Sequence, residues 1–349
     1  MIFFNNTNVS KVIKRFIQLI FFLIVFMTFR GQAQDPQFSQ FFAAPLYLNP
    51  AFTGATEEHR FVANYRNQWY GYTTYSFSYD HNIEHLNSGF GLLATVDKAG
   101  SLNMSTTNLG FLYAYKVRLS DKWILTPGIH FAYGNRGIDR EKIILLDQLG
   151  SGSPDSPSND PLLFALGNTD YFDFSSGLLA YNKMFWAGFS VHHMNQPNLT
   201  VIDRVNKLSI KTSLHGGARI PLYHGPFKRN VAPSIAPSFI YQRQGNVNQL
   251  DVGMNFHYNP VMVGFGYRGI LDTKNEFTEK VSQGALIFLI GLHYEQLEFG
   301  YSYDFTLSPL SASSGGAHEV SLAYQLTYTK KQKPKRKDKF IPCPPFLSN

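Results

Sequence analysis

The clearest signal in the chain is an alternation of period two, the spacing at which neighbouring side chains of a strand face opposite sides. Leu297, Phe299, Tyr301, Tyr303 and Phe305 are interleaved with Glu298, Gly300, Ser302 and Asp304. One face is aromatic and bulky; the other is small or acidic. Leu109, Phe111, Tyr113, Tyr115 and Val117 alternate with Gly110, Ala114, Lys116 and Arg118. Leu250, Val252, Met254, Phe256 and Tyr258 alternate with Gln249, Asp251, Gly253, Asn255 and His257, and Val320, Leu322, Tyr324, Leu326 and Tyr328 repeat the pattern after Glu319. Fourteen such segments are predicted as strands, near 59–69, 73–83, 88–98, 105–119, 122–135, 172–182, 185–195, 207–220, 230–242, 247–258, 260–270, 282–294, 296–307 and 315–328. Most have about the ten residues of a tilted membrane strand, and several close on Tyr, Phe or Trp, as aromatic girdles do.

A soluble sandwich also alternates. Here, however, the polar face is Gly, Ser, Thr and Asn with isolated charges, as a crowded or wet lumen wants, and no second sheet is built to cover the apolar face. The pattern predicts an all-β fold, a transmembrane antiparallel outer-membrane β-barrel of about 14 strands over residues 59–329. Its connections are mostly short. The exception, 136–171, is rich in Gly, Ser, Pro, Asn and Asp and is predicted as a long flexible loop. An even strand count sets both termini on the periplasmic side and this loop outside the cell, with 271–281 and 308–314 beside it.

Upstream of the barrel, Lys11, Lys14 and Arg15 precede an apolar run from Phe16 to Phe29, and Gly31 and Ala33 supply small residues before Gln34. Residues 1–33 read as a secretory signal peptide. The run is short for the roughly 20 residues of a spanning helix, and the later Gly284 to Leu292 is shorter still. The expected location is the outer membrane of a Gram-negative cell.

Composition narrows the field. Aromatics at 15% exclude disorder, and a single Cys excludes a disulfide scaffold and a Cys-based zinc site. The net charge is +7, but residues 1–33 hold four bases and no acid, and Lys330 to Lys339 hold seven bases and one acid, leaving the rest at −3. The basic character belongs to the two ends, so no nucleic-acid surface is implied.

Several motifs tempt a chemical reading. Gly264, Gly266 and Gly269 spell GxGxxG, but they lie inside an alternating strand and do not open a helix. His192 and His193 are adjacent and, on a strand, face opposite ways, which does not suit one metal. Arg66, Asp80, Asp97, Lys116, Arg118, Lys211, Arg219, Asp251, Arg268, Glu298, Asp304 and Glu319 are expected in the lumen as paired charges that crosslink its interior. No Ser–His–Asp or paired-carboxylate spacing stands out. The chain is therefore read as no enzyme, with no catalytic, cofactor-binding or metal-binding residues and no cofactor.

Two segments remain for recognition. Residues 34–58 carry Pro36, Pro45 and Pro50, which forbid a regular strand or helix, and Phe38, Phe41, Phe42, Leu46, Tyr47, Leu48 and Phe52, which are costly to leave in water. The segment is expected to pack, either plugging the periplasmic end of the lumen or lying against a partner. Residues 330–349 form a basic periplasmic tail, which either meets periplasmic partners, lipid headgroups or peptidoglycan or serves as a solvated spacer. It ends on Ile341, Pro342, Cys343, Pro344, Pro345 and Phe346, a stiff apolar stretch suggesting a docking peptide.

The stretch from Gln34 through Asp35, Pro36, Gln37, Phe38, Ser39 and Gln40 to Asn49, Pro50, Ala51, Phe52, Thr53 and Gly54 closely resembles the opening of the PorP/SprF family, outer-membrane proteins of the Bacteroidetes type IX secretion and gliding motility apparatus. The resemblance recurs at Arg66, Asn67, Gln68 and Trp69, at Ser78 to Asp80, at Tyr301 to Asp304, at Ser314 to Leu322, and in the Cys343-Pro344 ending, where Pro345 replaces a more usual basic or polar residue. It covers essentially the whole chain after residue 33.

The resemblance implies a barrel that assists export or cell-surface anchoring of a partner protein, a large adhesin, as a receptor or scaffold. Its partners would be type IX secretion components, that adhesin, outer-membrane lipid, and periplasmic ring or peptidoglycan-linked proteins. The residues proposed for partner binding are Asp35, Pro36, Phe38, Gln40, Pro45, Tyr47, Asn49, Pro50, Phe52 and Gly54 in the amino-terminal motif. In the tail they are Lys330, Lys331, Lys335, Arg336, Lys337, Cys343, Pro344 and Phe346. The alternative is an outer-membrane solute channel or transporter.

Overall fold

The computed structural model describes residues 35–56, 59–69, 71–100, 104–138, 167–199, 207–222, 233–270, 284–307 and 315–326. The expected signal peptide and basic tail lie outside the described residues. Fourteen long strands follow in chain order: β1 (His59–Gln68), β2 (Tyr72–Ile83), β3 (Ser88–Ala99), β4 (Met104–Tyr115), β5 (Ile124–Ile138), β6 (Thr169–Tyr181), β7 (Phe185–His192), β8 (Lys211–Ala218), β9 (Ser234–Gln244), β10 (Val247–Tyr258), β11 (Val261–Ile270), β12 (Ala285–Tyr294), β13 (Leu297–Thr306) and β14 (Ala317–Leu326). Val117–Arg118 and Ile220–Pro221 prolong β4 and β8 by a pair of residues each. Each strand pairs antiparallel with the next. β1 pairs with β14 from His59 opposite Leu326 to Gln68 opposite Ala317, which closes the ring. The result is a closed 14-stranded antiparallel barrel, with every predicted segment realised as a strand.

Closure removes the free edges, so the paired stretches of the wall satisfy their backbone groups inside the sheet, as hydrocarbon demands. The alternation then sorts the side chains. Phe265 is 60% exposed on the outer face, whereas Asp304 is 3% and Glu319 0% exposed on the inner one. Phe111, Phe131, Phe172, Phe189, Phe256 and Phe288 continue an outward apolar belt around the ring. Phe265→Arg, set in the middle of β11, is expected to cost about 2–4 kcal/mol, the range for a cation at the bilayer midplane. Equilibrium unfolding from lipid vesicles checks it; a loss below about 0.5 kcal/mol would leave the outer face without lipid contact.

The two rims differ. At the terminal rim, where β1 starts and β14 ends, the connections are brief: Glu84–Leu86, 119–123, 182–184, 259–260 and 295–296, with 222–233 the exception. The strand ends at the opposite, loop rim are joined through the longer stretches 139–168, 193–210, 271–284 and 307–316 and the shorter 69–71, 100–103 and 245–246. The expected grouping of the long loop near 136–171 with 271–281 and 308–314 follows from this strand order. The loop's own conformation lies outside the described residues.

Inside the ring runs the chain from Pro36 to Ala55. It forms three short turns, Phe41–Ala43, Pro45–Leu48 and Pro50–Phe52. Pro45 and Pro50 each open a turn, where a missing N–H is no loss. Asn49 caps the third turn by accepting from the Ala51 N–H at 2.8 Å. Phe41, Phe42, Leu48, Ala51 and Phe52 pack against Ile124, Leu179, Tyr181, Trp186, Ile240, Met262 and Leu289 of the wall. Leu46 packs on Leu93 and Leu112. The lumen wall is thus apolar where it faces these side chains.

Candidate partner-binding site

The amino-terminal motif is built into the lumen by three anchorages. The first is a charge cluster on β1, β10, β11, β13 and β14. Arg66 pairs with Asp304 at 2.8 Å and Glu319 at 3.0 Å; Arg268 pairs with Asp251 and with Asp304, each at 3.0 Å. Ser39 occupies its centre. The Ser39 hydroxyl donates to Asp304 at 2.6 Å and accepts from Arg66 at 2.6 Å and Arg268 at 3.0 Å. Two arginines face three carboxylates, an imbalance of one negative charge. It is met by backbone donors: the N–H groups of Ser39 and Gln40 bind Glu319 at 2.7 and 2.9 Å. Gln37 adds a bond to Asp251 at 3.1 Å, and the Gln40 amide donates to Ser302 and accepts from Ser321.

The second anchorage holds the middle. The Asn49 amide donates to the carbonyls of Leu178 at 3.2 Å and Phe189 at 3.3 Å and meets His215 Nε2 at 3.2 Å. Beside it Ser190 donates to the Leu48 carbonyl at 2.9 Å, with Ser213 2.7 Å from Ser190 and His192 3.2 Å from it. Serine and histidine do meet here, which spacing alone did not reveal; Ser190, Ser213 and His215 are buried and His192 is half-buried.

The third anchorage is at the terminal rim. Arg60 grips Asp80 with two bonds, at 2.8 and 3.1 Å, and Asp80 also accepts from the Gly54 N–H at 2.7 Å. Lys116 donates to the Gly54 carbonyl and to Asn82. Gly54 has φ +68°, in the left-handed region open to glycine, and lies on Gly89 of β3. A Cβ at Gly89 would stand 2.2 Å from the Thr53 carbonyl oxygen. Gly89→Val is therefore expected to lose about 1–3 kcal/mol by overpacking against backbone that cannot yield. Thermal unfolding in detergent checks it, and an unchanged midpoint would mean that the segment does not touch β3.

Phe38, Gln40, Pro45, Asn49, Pro50, Phe52 and Gly54 are buried, while Asp35, Pro36 and Tyr47 are half-buried. The structure brings the nine positions from Pro36 onward into one lumen. The tail residues Lys330, Lys331, Lys335, Arg336, Lys337, Cys343, Pro344 and Phe346 lie outside the described residues. Of the expected lumen charges, Arg66, Asp80, Lys116, Lys211, Asp251, Glu298, Asp304 and Glu319 are buried, Asp97, Arg219 and Arg268 are half-buried, and Arg118 is exposed at the terminal rim. Two features were missed. Arg60 was overlooked although it stands on the Arg66 face, six residues away. Ser39 carried no charge to mark it.

The expectation for His192 and His193 is corrected. β7 stops at His192, and His193 takes a left-handed φ of +58°, so its ring turns back to Asp173 at 3.0 Å. Both histidines thereby reach inward. GxGxxG lies in β11, as expected. Among the described residues, no group of three or more His, Cys, Asp or Glu is placed to hold a metal ion.

The geometry defines a membrane β-barrel whose lumen is occupied by its own amino-terminal segment. Residues 30–324 match the family described as type IX secretion system membrane protein PorP/SprF, and the chain belongs to that family. No curated protein matches it. Among solved structures, the P. putida toluene transporter TodX is similar at 10% identity and TM-score 0.42, over 80% of this chain and 93% of that one. A Pseudomonas aeruginosa FadL homologue gives 9% identity and 0.42, over 82% and 94%. BamA from Haemophilus ducreyi, lacking POTRA domains 1–3, gives 8% and 0.40, over 77% and 70%.

Proposed function

We propose that this type IX secretion barrel is non-enzymatic and serves as an outer-membrane receptor or scaffold that helps export a secreted partner or hold it at the cell surface. A large adhesin fits the role. The observation that carries the reading is the lumen: Pro36 to Ala55 fill it by polar and apolar contacts together. A barrel so filled offers its rims, not a conduit, to other proteins. By loop length, the loop rim faces outward and the terminal rim faces the periplasm. Asp35 and Pro36 would meet a partner directly, and the buried members of the motif hold them in place. The basic tail would serve periplasmic components of the secretion system.

The test is the surface and supernatant proteome of a strain lacking this chain. Loss of one large adhesin is expected for a dedicated partner. Loss of many unrelated cargo proteins would make the chain a core secretion component. An unchanged proteome would count against the export reading and move a solute channel to the front.

A further inference from the structure

The outer face of β8 and β9 changes character at the loop rim. Phe239 and Tyr241 of β9 and Leu214 of β8 are exposed in the outward apolar belt. Tyr241 lies opposite Leu214, and the next outward pair toward the rim is Arg243 opposite Thr212. A cation and a hydroxyl thus stand about 7 Å above an aromatic and an aliphatic side chain. Tyr241 marks the boundary between them. Its ring belongs to the belt, and its hydroxyl donates to Asn248 Oδ1 at 3.2 Å.

Local contacts build a recess beside Arg243. Gly245, at φ +58°, turns the chain from β9 into β10 within two residues. On the other side an isolated bridge joins Asn198 to Lys207, and the Leu208 N–H donates to the Pro197 carbonyl at 2.9 Å. Leu208 packs with Tyr171 and Leu199, and the Gln244 amide donates to the Ser209 carbonyl at 3.4 Å. These contacts hold Lys207 and Ser209 next to the end of β9. Between them lies a cavity of about 420 Å³, whose lining includes Gln196, Lys207, Ser209, Thr212, Arg243 and Gly245. The lining carries two cations and no carboxylate.

We propose that this recess binds the phosphorylated sugar headgroup of a membrane glycolipid. The Arg243 guanidinium, with its planar fork, and the Lys207 ammonium hold the phosphate. Gln196, Ser209 and Thr212 offer an amide and two hydroxyls to the sugar. The size argues for more than a bare phosphate, which would leave most of such a volume empty, whereas pockets of about 300–1,000 Å³ take whole small molecules. The position argues for a lipid. Acyl chains already lie on Phe239, Tyr241 and Leu214, so a headgroup tethered to them is presented at high effective concentration, as a free sugar phosphate is not. With the loop rim outward, the glycolipid belongs to the outer leaflet; only that leaflet rests on the function proposed above.

The test uses the full chain, purified in detergent and stripped of lipid, with bound lipid counted by native mass spectrometry. The probes are diphosphoryl lipid A, the same lipid without its phosphates, phosphatidylglycerol and inorganic phosphate. Diphosphoryl lipid A is expected to bind, and its phosphate-free form to bind at least about tenfold more weakly, as the loss of charge-assisted contacts implies. Lys207→Gln with Arg243→Gln should lose the same factor, and Arg243→Lys a smaller one. Lys98→Gln, which removes another exposed cation at the loop-rim end of β3, should leave binding unchanged. Lys207 and Arg243 are exposed, so the barrel should persist, and its heat-modifiable electrophoretic mobility confirms this. If the double variant fails to assemble, Lys207→Gln and Arg243→Lys singly carry the test. Equal binding of the phosphate-free lipid, an equal loss in Lys98→Gln, or no binding of lipid A would overturn the proposal. Phosphatidylglycerol binding as tightly as lipid A would overturn the sugar, and displacement of lipid A by inorganic phosphate would overturn the lipid. Binding is read on the isolated protein, so its failure leaves the export reading untouched.

Discussion

Arg66→Leu is expected to destabilise the barrel by about 3–5 kcal/mol, the cost of breaking a buried ion pair by removing one partner. Arg66 is 2% exposed and serves Asp304, Glu319 and the Ser39 hydroxyl at once. Its loss would leave Arg268 alone against three carboxylates, two of which it already contacts. Leucine fills much of the volume but offers no donor, so the stranded charge, not a cavity, carries the penalty. That reasoning makes a second claim. Adding Glu319→Gln removes one carboxylate and keeps one oxygen, which accepts from either the Ser39 or the Gln40 N–H. The double variant should recover about 1–2 kcal/mol, a coupling of the size seen between contacting residues. Denaturant midpoints in detergent read both effects, and proteolysis near Gln40 reports whether the inner segment has come loose. A single-variant cost under about 1 kcal/mol, or strict additivity, would reject the network as a support of the fold.

The barrel was legible in the chain because a lipid-facing strand obeys one rule per residue. In β13, Leu297, Phe299 and Phe305 had to face out and Glu298, Ser302 and Asp304 in, whatever lay in the lumen. What lay there was harder to read. The Pro-broken motif said that it must pack, not where. Yet the strands held a trace of the answer. Leu92-Leu93, Leu178-Leu179, Val261-Met262-Val263 and Leu286 to Ile290 are apolar on both faces, which a wet lumen would not want. Leu93, Leu179, Met262, Ile287 and Leu289 are the inward members, and Leu93, Leu179, Met262 and Leu289 belong to the clusters that receive the inner segment. Breaks in the alternation thus marked the docking track. Pairings such as Arg66 with Glu319 or Ser39 with Asp304 were not readable. The first depends on the register in which β14 closes on β1, the second on the path of a segment without periodicity. His193 escaped for a local reason: a left-handed residue at a strand end reverses the side that parity assigns.

Deleting Pro36 to Ala55 should convert a barrel that does not conduct into one that does. Small eight-stranded barrels are filled by their own side chains, whereas those of 16–18 strands hold an aqueous channel. At fourteen strands, the wall residues Leu112, Leu179, Ile240, Met262 and Leu289 are buried only because the segment covers them. Their side chains are too short to meet across a ring of this size, so the emptied lumen admits water and ions. In planar bilayers the full chain is expected to give no steady conductance and the deletion variant discrete open steps. Where deletion prevents assembly, Ser39→Val with Gln40→Val keeps the chain length and loosens the loop-rim end, and intermittent openings are expected in its place. Steady conductance by the unaltered chain would contradict the occupied lumen and favour a solute channel. A folded deletion variant that stays silent would mean that the wall closes on itself, and the inner segment would then be a ligand of the barrel and not its seal.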